Sequence, residues 1–474
     1  MSDKDVALGD PTKGFFINML TRDIELNDAI LDLLDNCLDG VVRIRTTEKV
    51  QRNSPDFYKD FFANITITKD SFIIEDNCGG IPLDIAKHYA FRMGRDESSP
   101  KENSPTVGIY GIGMKRAIFK IGKSAVIKSV TNDDSFTVTI PKNWESQKDW
   151  NFPIERLPKD SSEKNGTRIK ISNLNESIKS EWDDEGHLDI FVSNLIEHIK
   201  ESYSLIIQRG FKVTVNGTNI VGIPISFVWS HDSRGIKPYV YQYNKDGVSV
   251  HVMVGFYTPP PTIDESDRMA ESTPSKRSSE DAGWTIICND RVILYNNKDH
   301  LTGWGENTVP RYHTQFIGIR GVVEFSSKEP QKLPMTTTKR GIDLASPLYA
   351  TIKRRMCEGI KIFTNFTNDW KGTSTSETTY FKEAENVTVD EIINGKQDNS
   401  LHFVTTNDGG KQSKPILPKP KNNKADSIWI RFSARETECK LVSNYLYEAE
   451  RSPSEIGLGC FQRVLKEAQK DNIL

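Results

Sequence analysis

Carboxylates and one carboxamide recur through residues 25–40, ELNDAILDLLDNCLDG. Asp28, Asp32, Asp35, Asn36 and Asp39 fall three or four positions apart, so a helix gathers them on one face. An amide among carboxylates can hold Mg²⁺ through oxygen. Alone, the stripe reads equally well as a solvated acidic face. In IIEDNCGGIP, residues 73–82, a strand ends at Asp76 and two glycines follow. Glycine lets the backbone approach a ligand closely, and Asp76 can accept a hydrogen bond from an exocyclic amine. A plain Asp-Asn-Gly turn is the alternative. In VGIYGIGMKRAIFKIG, residues 107–122, Gly108, Tyr110, Gly111 and Gly113 precede a helix that carries Met114 and Lys115 at its start. Unpaired N–H groups at a helix start, beside a lysine, suit a phosphate. Neither the Walker A pattern nor G-x-G-x-x-G is present, and a flexible glycine turn remains open. The pair Gly166-Thr167, opening the strand TRIKI, says nothing by itself.

These residues need elements to position them. The pattern predicts a helix over 24–41, strands over 64–68 and 71–75, a helix over 111–121, and strands over 125–130, 135–140 and 167–171. A helix over 188–206 then leads into a second domain. That domain opens with a hairpin at 212–215, where Asn216-Gly217 supplies the positive φ angles of a tight turn. Further strands are expected at 248–257, 284–289, 291–295 and 318–325, and a helix at 348–363. Residues 259–282 read as a long mobile loop. Residues 370–425 are polar and read as linker. The remainder is a small terminal module with a strand-like IWIRF followed by helical patterns.

The chain has 474 residues, 36% hydrophobic and 27% charged, with a formal net charge of -3. Such a length calls for two domains plus something smaller. The charge balance is not that of a dedicated nucleic-acid binder. No stretch approaches the roughly 20 apolar residues of a membrane helix. The opening MSDKDVALGD lacks a signal-peptide pattern, so the expectation is a cytoplasmic protein. The six cysteines form no C-x-x-C pair and read as free thiols; the eight histidines form no zinc pattern.

Taken in this order, the four motifs resemble the four boxes of the Bergerat ATP-binding fold, shared by gyrase B, MutL, the MORC proteins and the ninety-kilodalton heat-shock chaperones. The resemblance covers residues 14–175. The G-x-Y-G-x-G-x-K form of the third box is most similar to MORC-like bacterial ATP-binding proteins. The resemblance implies an α+β chain. A Bergerat α/β sandwich would occupy 1–185 with a lid at 84–107, and an α/β transducer domain 186–368. A linker would follow at 369–425, and a C-terminal interaction module at 426–474.

It also implies roles. Asn36 would hold Mg²⁺, and Asp32 would be the general base that activates water. Asp76 would bind the adenine amine, with Thr167 beside the base and Gly80 letting it lie against the backbone. Asp39 would border the ATP site. Gly108, Tyr110, Gly111, Gly113, Met114 and Lys115 would line the phosphates. Two positions depart from the family pattern. The base is usually Glu, one methylene longer than Asp32, and Cys78 replaces the first glycine of the usual D-x-G-x-G. In the second domain, LPMTTTKRGID, residues 333–343, resembles the loop that delivers a lysine to the γ-phosphate; Lys339 is the candidate and Arg340 the fallback.

The implied function is a slow ATPase acting as a switch or clamp that dimerises on ATP binding. Phe15, Phe16 and Ile17 would pack across that dimer or within their own domain. The target would be DNA or a partner protein. Lys353, Arg354, Arg355, Lys411, Lys414, Lys419, Lys421 and Lys424 would contact DNA phosphates, or simply form a solvated surface. Similar ATPases in bacterial defence operons imply an anti-phage setting. A different reading is a nucleotide-gated adaptor whose terminal module recruits an effector, with hydrolysis incidental.

Overall fold

The computed structural model describes residues 11–94, 111–261, 281–371, 380–395, 401–420 and 430–470, apart from positions 53, 161, 233, 234, 337, 383 and 431. Helices α1 (Lys13–Arg22) and α2 (Leu26–Thr47) open the chain, and the hairpin β1 (Phe62–Thr68) and β2 (Ser71–Asp76) follows. Alternation decides which face of the hairpin is buried: Ala63, Ile65, Ile67, Phe72 and Ile74 all point into the core. After the short α3 (Leu83–Ile85) come α4 (Gly113–Ile121), β3 (Gly122–Val130), β4 (Ser135–Ile140), β5 (Ile154–Arg156) and β6 (Gly166–Leu174). Helices α5 (Glu176–Trp182) and α6 (Glu185–Gln208) lead to the small hairpin β7 (Lys212–Val215) and β8 (Thr218–Asn219).

These eight strands make one sheet, ordered β5-β4-β3-β6-β2-β1-β7-β8. Ile30, Leu33, Leu34 and Leu38 of α2 and Leu195 and Ile199 of α6 join its inner face in one core. The β7–β8 hairpin was expected to open the second domain. Instead β7 pairs in parallel with β1, Phe62 opposite Lys212, and extends the first sheet. Its Asn216 and Gly217 have the positive φ that the turn requires. Of the apolar lead-in, Phe16 packs edge-on against Trp150 and Ile17 lies against the core, whereas Phe15 is exposed.

The second sheet takes strands from β10 (Tyr239–Lys245), β11 (Val248–Phe256), β12 (Gly283–Cys288), β13 (Arg291–Asn297) and β14 (Ile319–Ser327). One face is covered by α7 (Pro347–Trp370), through Ile352, Met356, Ile360 and Phe363. The other face meets β9 (Ser226–Trp229), β15 (Glu385–Thr388) and Leu205 of α6. Much of the expected linker is therefore built into this domain. Strand β15 pairs with β9, α8 (Val389–Ile393) follows it, and β16 (Val404–Thr405) and β17 (Lys411–Ser413) extend the sheet beyond β10. These strands are short and sit at edges, so few of their side chains need to be apolar. Residues 262–280 of the expected mobile loop lie outside the described residues. The terminal module is a pair of helices, α9 (Glu436–Tyr447) and α10 (Pro453–Lys470), and the IWIRF segment forms no strand among its described residues. No helix among the described residues is long and apolar enough to cross a membrane.

The two sheets are joined by buried charge. In the β12–β13 turn, Asn289 and Asp290 both adopt positive φ, which aims Asp290 at the first domain. Its carboxylate accepts hydrogen bonds from Arg52 at 2.6 Å, Tyr58 at 2.7 Å and Arg209 at 2.6 Å. Arg209 also pairs with Asp390 at 2.6 Å and with Glu324 at 3.5 Å. Two guanidinium groups thus face three carboxyl groups, and Glu324 is the one left poorly paired. Burial pushes its carboxyl up to about 7 against the pull of Arg209, and Asp290 and Asp390 push the same way.

A carboxyl raised in the fold favours folding below its unfolded value and loses that contribution as pH rises through about 7. Glu324→Gln should therefore stabilise the protein relative to wild type at pH 8, by on the order of 1–2 kcal/mol. The difference should disappear only below about pH 4, where the carboxyl is protonated in both states. Denaturant unfolding at the two pH values checks this, and an equal difference at both would refute it.

Candidate functional site

Helix α2 is buried at every position from 29 to 42 except one, Asn36. A single exposed carboxamide inside a buried run marks the place where the helix reaches solvent. The acidic residues beside it are not solvated. Asp32, Asp35 and Asp39 are all buried, so the stripe needs partners to offset desolvation.

Those partners come largely from outside the helix. Asp32 accepts hydrogen bonds from Arg116 of α4 and pairs with Lys339 at 3.3 Å. Asp35 accepts one from Lys339 at 2.7 Å and another from Tyr203 at 2.8 Å. Arg291 Nε lies 3.2 Å from Asp35 as an ion pair. Arg340 pairs with Asp28. Both basic residues of the 333–343 loop thus dock on one face of α2. Despite burial, Lys339 and Arg291 hold the Asp35 carboxyl below its ordinary value, and Asp35 and Asp32 hold the Lys339 ammonium above its own.

The second box closes over the middle of the same helix. Asp76 ends β2, where its Oδ1 accepts the Cys78 N–H at 2.7 Å and the Thr167 N–H at 3.4 Å. The Cys37 thiol, one residue beyond Asn36, donates to Oδ2 at 3.4 Å. Burial pushes the Asp76 carboxyl up to about 6, while the Cys78, Cys37 and Thr167 donors pull it back. The fourth box is here for a steric reason. A Cβ on Gly166 would stand 1.9 Å from the Asp76 carbonyl oxygen. Gly80 adopts φ +73, and a Cβ there would meet the Val130 oxygen at 2.2 Å. The close approach that Gly80 permits is thus filled by the protein's own β3 backbone. Cys78, which replaces the usual glycine, is buried in the core.

The third box begins beside Asp32. A Cβ on Gly113 would lie 3.3 Å from the Asp32 carboxyl carbon, so the α4 N-terminus abuts the acidic stripe. The first N–H groups of α4 have no partner within the helix, as at any helix start. Met114 is buried behind them. Lys115 is also buried and donates to the carbonyls of Ala90, at 2.8 Å, and Gly111. It was expected at the phosphates, but here its ammonium is turned to the protein backbone, and the neighbouring Arg116 reaches Asp32. Gly108 and Tyr110 lie outside the described residues, as do positions 95–107 of the expected lid.

Among the described residues, no group of three or more His, Cys, Asp or Glu could enclose a cation. A magnesium ion here would need most of its oxygens from a phosphate ligand, with the exposed Asn36 carboxamide as a side-chain oxygen beside it. Sequence reasoning gave Asp35 no role and missed Arg116, Cys37, Tyr203 and Arg291. Arg116 and Cys37 lie inside the motifs and were within reach. Tyr203 and Arg291 carry no local signal, because tertiary packing alone brings them to Asp35.

Gly166→Ala should destabilise the fold by about 2–3 kcal/mol, because backbone on both sides cannot yield. A thermal midpoint equal to wild type would contradict the close approach.

Residues 24–176 match the family model described as histidine kinase-, DNA gyrase B- and HSP90-like ATPase. No curated protein matches the chain. The matched stretch contains Asp32, Asn36, Asp76, Gly113 and Thr167, the residues that the geometry draws together around α2. The chain therefore carries an N-terminal ATPase domain of the histidine kinase, gyrase B and HSP90 type, an antiparallel sheet with helices, followed by further α/β regions.

Proposed function

We propose that the protein is an Mg·ATP-dependent switch that hydrolyses ATP slowly and reports the nucleotide state to its second domain through Lys339. The observation that carries this reading is the contact of Lys339, from the loop after β14, with Asp32 and Asp35 inside the ATPase domain. Asp76 accepts the adenine amine, with Thr167 at its side. The α4 N-terminus offers Gly113 and Met114 N–H groups to the phosphates. Asn36 would hold Mg²⁺, which when bound would neutralise phosphate oxygens. Asp32 takes the proton of the attacking water, and Lys339 balances the charge that develops on the terminal phosphate. ATP-induced pairing of two copies, and a setting in bacterial anti-phage defence, follow from the resemblance of the motifs.

A protein partner fits better than DNA. Of the basic residues considered for DNA, Lys353 pairs with Glu306 at 2.7 Å and Arg355 with Asp408 at 2.6 Å. Lys414 pairs with Glu358 at 2.5 Å. The α9–α10 pair, in contrast, exposes Leu441, Tyr445, Leu458, Phe461 and Val464. That exposed apolar surface supports the adaptor reading, in which ATP gates recruitment of an effector.

Titration of the purified protein with Mg·ATP, together with a turnover assay and sizing in a non-hydrolysable analogue, tests the reading. Wild type should bind and turn over. Asp76→Asn should lose about ten- to a hundredfold in affinity, and Asp32→Asn should bind without turnover. Because the Asp76 carboxyl titrates near 6, wild-type affinity should weaken as pH falls through that value, and the Asn variant should not show this. If wild type binds no adenine nucleotide, the reading fails. If Asp32→Asn retains biological function, hydrolysis is incidental and the adaptor reading replaces the clamp.

A further inference from the structure

Asp35 is 1% exposed, whereas its neighbour Asn36 is exposed. Three elements outside α2 converge on it. Lys339 reaches it from the 333–343 loop at 2.7 Å, closer than the 3.3 Å to Asp32. Tyr203, at the kink of α6, donates to it at 2.8 Å and also to the Leu31 carbonyl of α2. Arg291, the first residue of β13, pairs with it, and its guanidinium stacks 4.2 Å from the Tyr203 ring centre. Asp35 is thus fixed by α6 and β13 before the loop is considered.

The loop itself is strained where it meets Asp35. It folds back through Thr336 N–H to the Gly341 carbonyl at 3.0 Å and Lys339 N–H to the Thr336 carbonyl at 2.9 Å. Lys339 sits at the bend with φ +58, a left-handed conformation that side-chain-bearing residues seldom adopt. Such a conformation persists when surrounding contacts over-determine it. Here the contact is the ammonium locked between two buried carboxylates. In this arrangement Asp32 has Arg116 on one oxygen and Lys339 on the other, so each oxygen already accepts a bond from a cation that a water molecule would have to share.

We infer that Asp35 is the positioning residue that keeps Lys339 at the domain boundary, so that Asp32 is occupied without ATP and released when a terminal phosphate draws the lysine's remaining bonds. The inference rests on the ATPase reading for the second half of that statement only. Asp35 holds its bond to Lys339 in both states, and the ammonium pivots between Asp32 and the phosphate around it. The basal state is then self-restrained, and release of the general base is tied to arrival of the substrate that needs it.

Asp35→Asn in the full chain tests this, since it keeps shape and removes charge. Amide exchange is measured first without nucleotide. The loop amides of Thr336 and Lys339 should exchange about tenfold faster or more than in wild type, while the core strands of both sheets keep wild-type protection. With ATP, kcat should fall about tenfold and KM should change less than about threefold. A purely structural role would instead loosen the whole fold and move KM as well. Tyr203→Phe removes one bond to Asp35 without touching Lys339, and should give a smaller effect of the same sign; it decides the matter if Asp35→Asn does not fold. Wild-type loop exchange in a folded Asp35→Asn protein overturns the inference. Faster loop exchange in a protein that binds no ATP would support the anchoring role while refuting the nucleotide reading, so the two failures are distinguishable.

Discussion

A buried lysine between two aspartates is the contact on which the arrangement depends. Removing one partner from such a cluster leaves an uncompensated charge in a medium of low polarity, at a cost of about 3–5 kcal/mol. Lys339 therefore cannot give up Asp32 unless another anion takes its place. This one constraint explains why the acidic stripe of α2 is buried and why a loop from a different domain closes the site. It also explains why Arg340 follows Lys339 onto the same helix, at Asp28. The stripe is a docking rail for the second domain as much as part of a nucleotide site.

The domains are held at a second place, around Asp290, and the two junctions differ in character. At Asp35 two cations meet one carboxylate, and Lys339 is shared with Asp32. At Asp290 the guanidinium groups of Arg52 and Arg209 are locked by short hydrogen bonds. The first junction thus shares its lysine between two carboxylates, whereas the second concentrates two guanidinium groups on one. Both are reached from β13 and the turn before it, so movement at one is mechanically linked to the other.

Much of the ATPase domain was legible in the sequence. The β1–β2 pair was visible because strict alternation and a polar turn leave little choice, and β4 was found at its full length. Asp76 was legible only through the order of the four motifs, because a carboxylate followed by glycines at a strand end reads by itself as a plain turn. What sequence could not show is direction. Lys115 sits in the expected motif, yet its side chain turns to the Ala90 carbonyl, a choice made by tertiary packing. The segments 385–393 and 404–413 were read as linker because edge strands of two to four residues carry no periodicity. The β7–β8 turn was recognised, but a hairpin signal does not say which sheet the hairpin joins.

That last point bears on how the protein is made. Strand β7 is the parallel neighbour of β1, although some 150 residues of chain separate them (Asn64 and Thr214 are paired). Until that late segment has emerged from the ribosome, β1 presents an open row of N–H and C=O groups. A nascent chain halted at the end of the matched stretch, residue 176, would expose this edge and lack Tyr203. The ATPase domain thus matures only when translation has already reached the threshold of the second domain, and until then it is vulnerable to sticking to its neighbours.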